Sequence, residues 1–264
     1  MAITTLDGWV ASAKQYISIV KTASRTSVAA TWFSFIELAG NPGAGVLAGT
    51  NTANGLVPNS ATAGCPIINA YGASATGYLS QVDFSCSVAC RMKLFDMLFK
   101  AGAYAFNAAV TLTAQPSYSA RVPGGTDFGD TQIWIEFVTV SNGTQSVAVT
   151  YTNQSGVAAK TTGVVVTVVG TVGRMVQLPL AAGDTGVQKI ESVTGTVASG
   201  GTFNVLVLRP LWSGRVKVAN DGDVHGLDKT AMPVIFPNSA IILAMAPDST
   251  STGVPELEFV ISNA

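Results

Sequence analysis

Ile133-Trp134-Ile135-Glu136-Phe137-Val138, then Asn142-Gly143, then Val147-Ala148-Val149-Thr150-Tyr151-Thr152: this stretch decides the fold class. Side chains in a strand alternate between two faces, so Ile133, Ile135 and Phe137 share one face, as do Val147, Val149 and Tyr151. Asn-Gly accepts the positive φ of a tight turn, and the spacing predicts a β-hairpin over 131–153. Outward from it, Val187 to Val197, Ser199-Gly200-Gly201 and Phe203, Val205, Val207 predict a second hairpin over 187–209. Between the two, the β-branched Val164 to Val169 reads as a strand buried on both faces. Thr31 to Glu37 is aromatic and extended, Ile241 to Ala246 is apolar, and Leu257, Phe259 and Ile261 share one face of a last strand. About a dozen strands at spacings near 8–15 residues predict an all-β chain, a β-sandwich of jelly-roll-like type. No longer period repeats, which excludes a solenoid or propeller.

The N-terminus carries the helical signal. Thr4 with Asp7 resembles a capping box, and Leu6, Val10, Ala13, Ile17 and Val20 recur at helical spacing. Lys14, Lys21 and Arg25 accumulate toward the end, where the helix dipole favours cations. Residues 1–25 are therefore expected to form a short amphipathic helix. It packs either on the chain's own sheet or, as a docking arm, on a neighbouring subunit. Residues 26–264 form the sandwich, with a weak boundary near 126 in Pro123-Gly124-Gly125-Thr126. Residues 39–77 hold many turn signals, including Asn41-Pro42-Gly43 and Asn54-Gly55, and exceed the usual connection length. They form an excursion toward neighbours or a set of short strands.

Charge is scarce. Lys and Arg number 14 and Asp and Glu 15 in 264 residues, 11% of the chain, against roughly 25% in ordinary soluble domains. A weakly charged surface rich in Ser, Thr, Gly, Asn and Ala is buried against neighbours at little desolvation cost, which points to a subunit of a permanent assembly. A net charge of −1 argues against generic nucleic-acid binding, which needs a basic footprint. The longest apolar run, Ala240 to Pro247, is too short to span a bilayer. The first residues lack the basic and apolar regions of a secretory signal, so the chain is expected to fold in the cytosol that made it.

No catalytic, cofactor-binding or metal-binding residues are assigned. The single histidine, His225, is the one residue on which a Ser-His or Cys-His nucleophile could be built, and no Gly-x-Ser-x-Gly elbow accompanies it. Asp221, Asp223 and Gly226 match three positions of a calcium loop. His225 and Met232 stand where two further ligands belong, so Asp221–His225 reads as a solvated turn. Gly43-Ala44-Gly45-Val46-Leu47-Ala48 fits a dinucleotide fingerprint, but the residues after it cannot open the helix that holds a pyrophosphate. Glu37, Asp83, Asp127, Asp130, Glu136, Glu191, Glu256 and Glu258 are candidate glycosidase acids that nothing in the sequence pairs. Cys65, Cys86 and Cys90 read as free thiols. On one extended strand Cys86 and Cys90 would stand about 13 Å apart, too far for a bridge. Asn142-Gly143-Thr144 and Asn153-Gln154-Ser155 match glycosylation sequons and read as turns.

Four stretches, Glu37 to Gly45, Thr150 to Gly156, Phe203 to Trp212 and Asn220 to Gly226, carry a resemblance spread over nearly the whole chain. It resembles a family of virion structural proteins, usually head-associated, of tailed double-stranded DNA bacteriophages. The resemblance implies a non-enzymatic decoration (cement) or minor capsid subunit. Its partners would be itself, as a homotrimer, and the phage major capsid protein or other virion proteins, with neither membrane nor specific nucleic acid involved. It would reside in the virion, assembled in the bacterial cytoplasm. Two other readings compete. One is a tail or host-recognition protein with a carbohydrate-binding sandwich, using Trp134, Tyr151 and Trp212 as exposed aromatics. The other is a depolymerase.

Overall fold

A computed structural model of the chain describes residues 3–50, 53–73, 75–167, 170–196 and 200–264, with only the backbone of 165–167. In chain order the elements are α1 (Leu6–Ala11), β1 (Ala13–Lys21), β2 (Trp32–Ser34), β3 (Gly40–Asn41), β4 (Gly77–Cys86), β5 (Cys90–Ala105), β6 (Ala109–Thr111), β7 (Gln132–Phe137), β8 (Gln145–Asn153) and β9 (Lys160–Thr161). They continue with β10 (Val165–Thr167), β11 (Arg174–Leu178), β12 (Val187–Gly195), β13 (Thr202–Val216), β14 (Asp221–His225), α2 (Leu227–Thr230), β15 (Val234–Ile235), β16 (Ile241–Pro247) and β17 (Pro255–Asn263). The class is all-β and sandwich-like with a short N-terminal helix. Its centre is a closed barrel in the order β11-β2-β16-β5-β13-β7.

Strand parity explains the barrel. Trp134 on β7, Leu206 and Leu208 on β13, Met175 on β11 and Ile242 and Ala244 on β16 form one apolar cluster inside it. Their neighbours one position away point outward. Ile241, Leu243 and Met245 of β16 and Cys90, Met92 and Leu94 of β5 pack on the sheet β14-β4-β17-β1-β3 through Leu79, Phe84, Leu257, Phe259 and Ile261. Ile133, Ile135 and Phe137 of β7 and Phe203, Val205 and Val207 of β13 pack on the sheet β10-β8-β12-β6 through Val147, Val149, Tyr151, Val187 and Ile190. Both faces of the barrel strands are thus apolar, whereas the covering sheets alternate buried and open positions, as in β8.

Neither expected hairpin forms. The strands exist, but β7 pairs with β11 and β13, while β8 pairs with β10, β12 and β9. The chain leaves the barrel after Phe137 and crosses to the facing sheet, so the two apolar faces meet across a core instead of lying side by side. The β12–β13 connection makes the same crossing, with β12 on β8 and β6 and β13 on β5 and β7. Of the Val164–Val169 run, Val165–Thr167 is the edge strand β10 on β8; residues 168–169 and the side chains of 165–167 lie outside the described residues.

The expected helix over 1–25 is likewise corrected. Only Leu6–Ala11 is helical, and its cap is Thr5, whose Oγ1 accepts from Gly8 N at 3.0 Å. Lys14 Nζ donates to the carbonyls of Trp9 and Ser12 at the helix end. Ile17-Ser18-Ile19-Val20 then favours strand through its β-branched residues, and β1 pairs with β17 from Ala13↔Asn263 to Val20↔Glu256. Lys21 and Arg25 are clamps, not dipole cations. Buried Lys21 donates to the carbonyls of Leu38 and Pro42, and Arg25 pairs with Glu37. The expected 25-residue helix is therefore a six-residue helix followed by a nine-residue strand of the chain's own sheet.

Cys86 and Cys90 do not share a strand either. Cys86 ends β4 and Cys90 begins β5 in the barrel, so the chain turns between them. All three cysteines are free and buried. A hydrogen bond between the Cys86 and Cys90 thiols lowers the first and, with burial, raises the second. The 39–77 excursion lies largely on its own chain: Leu47, Cys65 and Ile68 are buried, Leu56 bridges Lys100, and Gln15 exchanges hydrogen bonds with the Asn69 backbone.

Removing residues 1–12 deletes α1, which buries no side chain, and leaves the melting temperature nearly unchanged. Removing residues 1–21 deletes β1 with buried Ile17 and Ile19 and abolishes cooperative unfolding. Thermal melts followed by circular dichroism check both, and a 1–21 deletion that melts like the full chain would contradict the assignment.

Candidate assembly surface

The buried polar groups are committed to architecture. Asp96 of β5 is fully buried. Its carboxylate accepts from Arg121 Nη2 at 2.6 Å, Ser239 Oγ at 2.7 Å, Ala240 N at 3.0 Å and Arg209 Nη2 at 3.3 Å. The two guanidiniums also donate to carbonyls, Arg121 to Pro58, Asn238 and Met97 and Arg209 to Val234. Asp96 thereby ties the irregular segments around 58, 121 and 234–240 to the barrel wall. Burial lowers the Arg121 guanidinium from its usual value, against the pull of Asp96.

Glu136 makes a second hub inside the barrel. Ser34 Oγ donates to its Oε1, and Asn204 Nδ2 donates to its Oε2 at 2.8 Å, with Lys100 Nζ 4.0 Å away. Burial raises its carboxyl above the ordinary range, partly offset by Lys100. Asn204 and Lys100 continue outward to Leu47, Gly49 and Val46, fastening the excursion. Six charged side chains (Lys21, Asp96, Lys100, Arg121, Glu136 and Arg209) are buried among the described residues, which leaves 23 of the 29 charged residues for the surface.

The residues weighed from sequence scatter. Asp221–His225 is strand β14 on β4, not a turn. His225 Nδ1 accepts from Trp212 Nε1 at 3.0 Å, and its Nε2 lies 3.5 Å from Asp223. Among the described residues no three His, Cys, Asp or Glu side chains gather as a metal site, and none of the helices is long and apolar enough to cross a membrane. Among the described residues no helix follows Gly43–Ala48. Of the acids, Glu37 pairs with Arg25, Glu136 lies in the barrel, Glu191 accepts from Thr152 and Ala159, and Asp127 accepts from Gly129 N. Asp130 sits at positive φ in a turn. The structure does bring two acids together that the sequence could not pair: Glu258 of β17 lies directly opposite Asp83 of β4, with Glu256 two residues along. Trp134, Tyr151 and Trp212 are all buried, so none is available to stack on a sugar.

What the surface offers is apolar. Tyr16 is 79% exposed, Ile67 73%, Leu6 66% and Val10 65%. Tyr16 and Ile67 line one open groove of about 610 Å³, floored by Ile17 and walled by Asn41–Ala44 and Ser60–Pro66. α1, with Leu6 and Val10, leads directly into β1. Large apolar side chains held open on ordered backbone beside a groove mark an interaction site. Sequence reasoning placed Leu6 and Val10 on a packing face, but it could not foresee Tyr16, whose exposure follows from β1 being a strand.

No family model and no curated protein matches the chain. Among solved structures, that of the infectious bursal disease virus Gx strain shows 9% identity, covers 96% of this chain and 80% of that chain, and has a TM-score of 0.18. The VP2 subviral particle of the same virus shows 8% identity over 95% and 79%, with a TM-score of 0.18. Its T=1 particle shows 8% identity over 95% and 76%, with a TM-score of 0.20. At such TM-scores these likenesses carry no argument about this chain.

Replacing Asp96 by Ala leaves two buried guanidiniums without a counter-charge, and the loss of unfolding free energy should be about 3–5 kcal/mol. Urea unfolding measures it, and a loss below about 1 kcal/mol, the worth of an exposed pair, would refute the hub.

Proposed function

We propose that the chain is a non-enzymatic structural subunit of a bacteriophage virion, a head decoration or minor capsid protein that stabilises the shell through many repeated contacts. The observation that carries this reading is the surface: few charges, six of those in the sequence withdrawn into the interior, and large apolar side chains held open, Tyr16 and Ile67 at one groove and Leu6 and Val10 on α1. The sequence resemblance to phage head proteins supports the same reading. Repetition makes weak contacts sufficient, since linked sites bind with high effective concentration. The partners are further copies of the chain, in a closed symmetric oligomer such as a trimer, and the shell protein beneath it. The carbohydrate-binding alternative loses the three aromatics named for it, because all three are core residues.

Quantitative mass spectrometry of purified particles of the phage encoding this chain should find it in many copies per particle. The Tyr16→Asp/Ile67→Asp double variant should keep its circular dichroism and be depleted from particles. Absence of the wild-type chain from purified particles would refute the proposal.

A further inference from the structure

At the mouth of the barrel the sparse basic residues are concentrated. Arg91, Lys93, Arg215 and Lys217 line an open cleft of about 670 Å³ together with Trp32, Asp223 and His225. Arg91 of β5 lies directly opposite Arg215 of β13, and Lys93 follows two residues along β5 on the same face. Like charges placed opposite one another on neighbouring strands destabilise a sheet. Among the described residues no carboxylate lies within ion-pair distance of Arg91, Lys93 or Lys217; Arg215 has only an exposed contact with Asp248 at 3.7 Å. Asp223, the cleft's carboxylate, is already engaged by Lys229 and His225.

The outer face of the β14-β4-β17-β1-β3 sheet repeats this arrangement with the sign reversed. Glu258 lies directly opposite Asp83, and Glu256 follows two residues along β17 on the same face. All three are exposed, and none has an ion-pair partner among the described residues. Each set is a cross-strand pair plus a third charge two residues along. Strand geometry gives both triangles the same edges, about 5 Å across strands and about 7 Å along one.

We infer that the basic cleft of one copy receives the acidic sheet face of a second copy, Arg91, Lys93 and Arg215 meeting Asp83, Glu256 and Glu258 in a head-to-tail contact. This rests on the assembly reading above and names one of its interfaces. Two different surfaces meet, so the contact is heterologous and builds rings, or filaments where the rotation does not close. It also relieves the like-charge pairs Arg91–Arg215 and Asp83–Glu258, which face each other across neighbouring strands in each copy. The chain's net charge of −1 and the fitting anion set on its own surface favour a second copy over nucleic acid as the occupant.

Two variants test it, Arg91→Glu/Arg215→Glu in the cleft and Glu256→Lys/Glu258→Lys on the face, each immobilised in turn and probed with itself, the other and the wild type. All four substituted side chains are exposed, so both variants fold. Each variant should bind itself about tenfold or more weakly than the wild type binds itself. The two variants should bind each other about as tightly as two wild-type copies do, because the unaltered cleft of the face variant receives the unaltered face of the cleft variant. Wild-type self-binding should weaken with salt. Variants that self-associate like the wild type would overturn this contact and leave the assembly reading standing; a wild type that binds no copy at all would overturn both. Oligonucleotide binding lost in the cleft variant, with self-association unchanged, would assign the cleft to nucleic acid instead.

Discussion

One antiparallel ladder, Cys90–Ala105 against Thr202–Val216, holds the molecule together. It closes the barrel, lends its first half to the core under the β4–β17 sheet, and lends its second half to the core under the β8–β12 sheet. A strand serving two cores and a barrel interior has no solvent face, and this is why β13 is buried at nearly every position from Phe203 to Trp212. Where the outer face passes from one core to the other sits Asp96, between Leu94 and Leu98. Neither covering sheet reaches that seam, and the irregular segments that do bring arginines and backbone amides to meet the carboxylate. The charge is costly to bury alone and stable here because every lone pair finds a donor.

The interior in turn shapes the exterior. Lys100, Arg121 and Arg209 are spent on fixing loops to the barrel with Asp96 and Glu136 as their counter-charges, and Lys21 is spent on holding the chain around Leu38 and Pro42 to β1. What remains outside is sparse and unevenly placed: a cationic cluster at the barrel mouth, an anionic one on a sheet face, and an open groove lined by Tyr16 and Ile67. A chain that only had to stay soluble would intersperse its charges and cover Tyr16 and Ile67. On the reading proposed above, that separation serves contacts between copies.

Strand existence was legible in period-two alternation, and the class followed from it: 133–137, 147–151, 203–207 and 257–261 are strands with the faces the pattern assigned. Partnership was not legible. Asn142-Gly143 looks like a hairpin turn, yet Val138–Ser141 separates it from β7, and the apolar faces on either side needed one another across a core. The N-terminus misled for a related reason. Leu6, Val10, Ala13, Ile17 and Val20 fit a helix, but Ile17 and Ile19 also fit a strand, and pairing with the distant β17 decided between them. The charge clusters were invisible for the same reason: Arg91 and Arg215, or Asp83 and Glu258, become neighbours only through long-range register.

On the proposed reading, this surface meets other copies of the chain. Sedimentation velocity of the purified full chain over a wide concentration range tests it most directly. The account predicts a discrete species whose mass is an integer multiple of 27.0 kDa and which is retained on dilution. A single 27.0 kDa species at every concentration would contradict it.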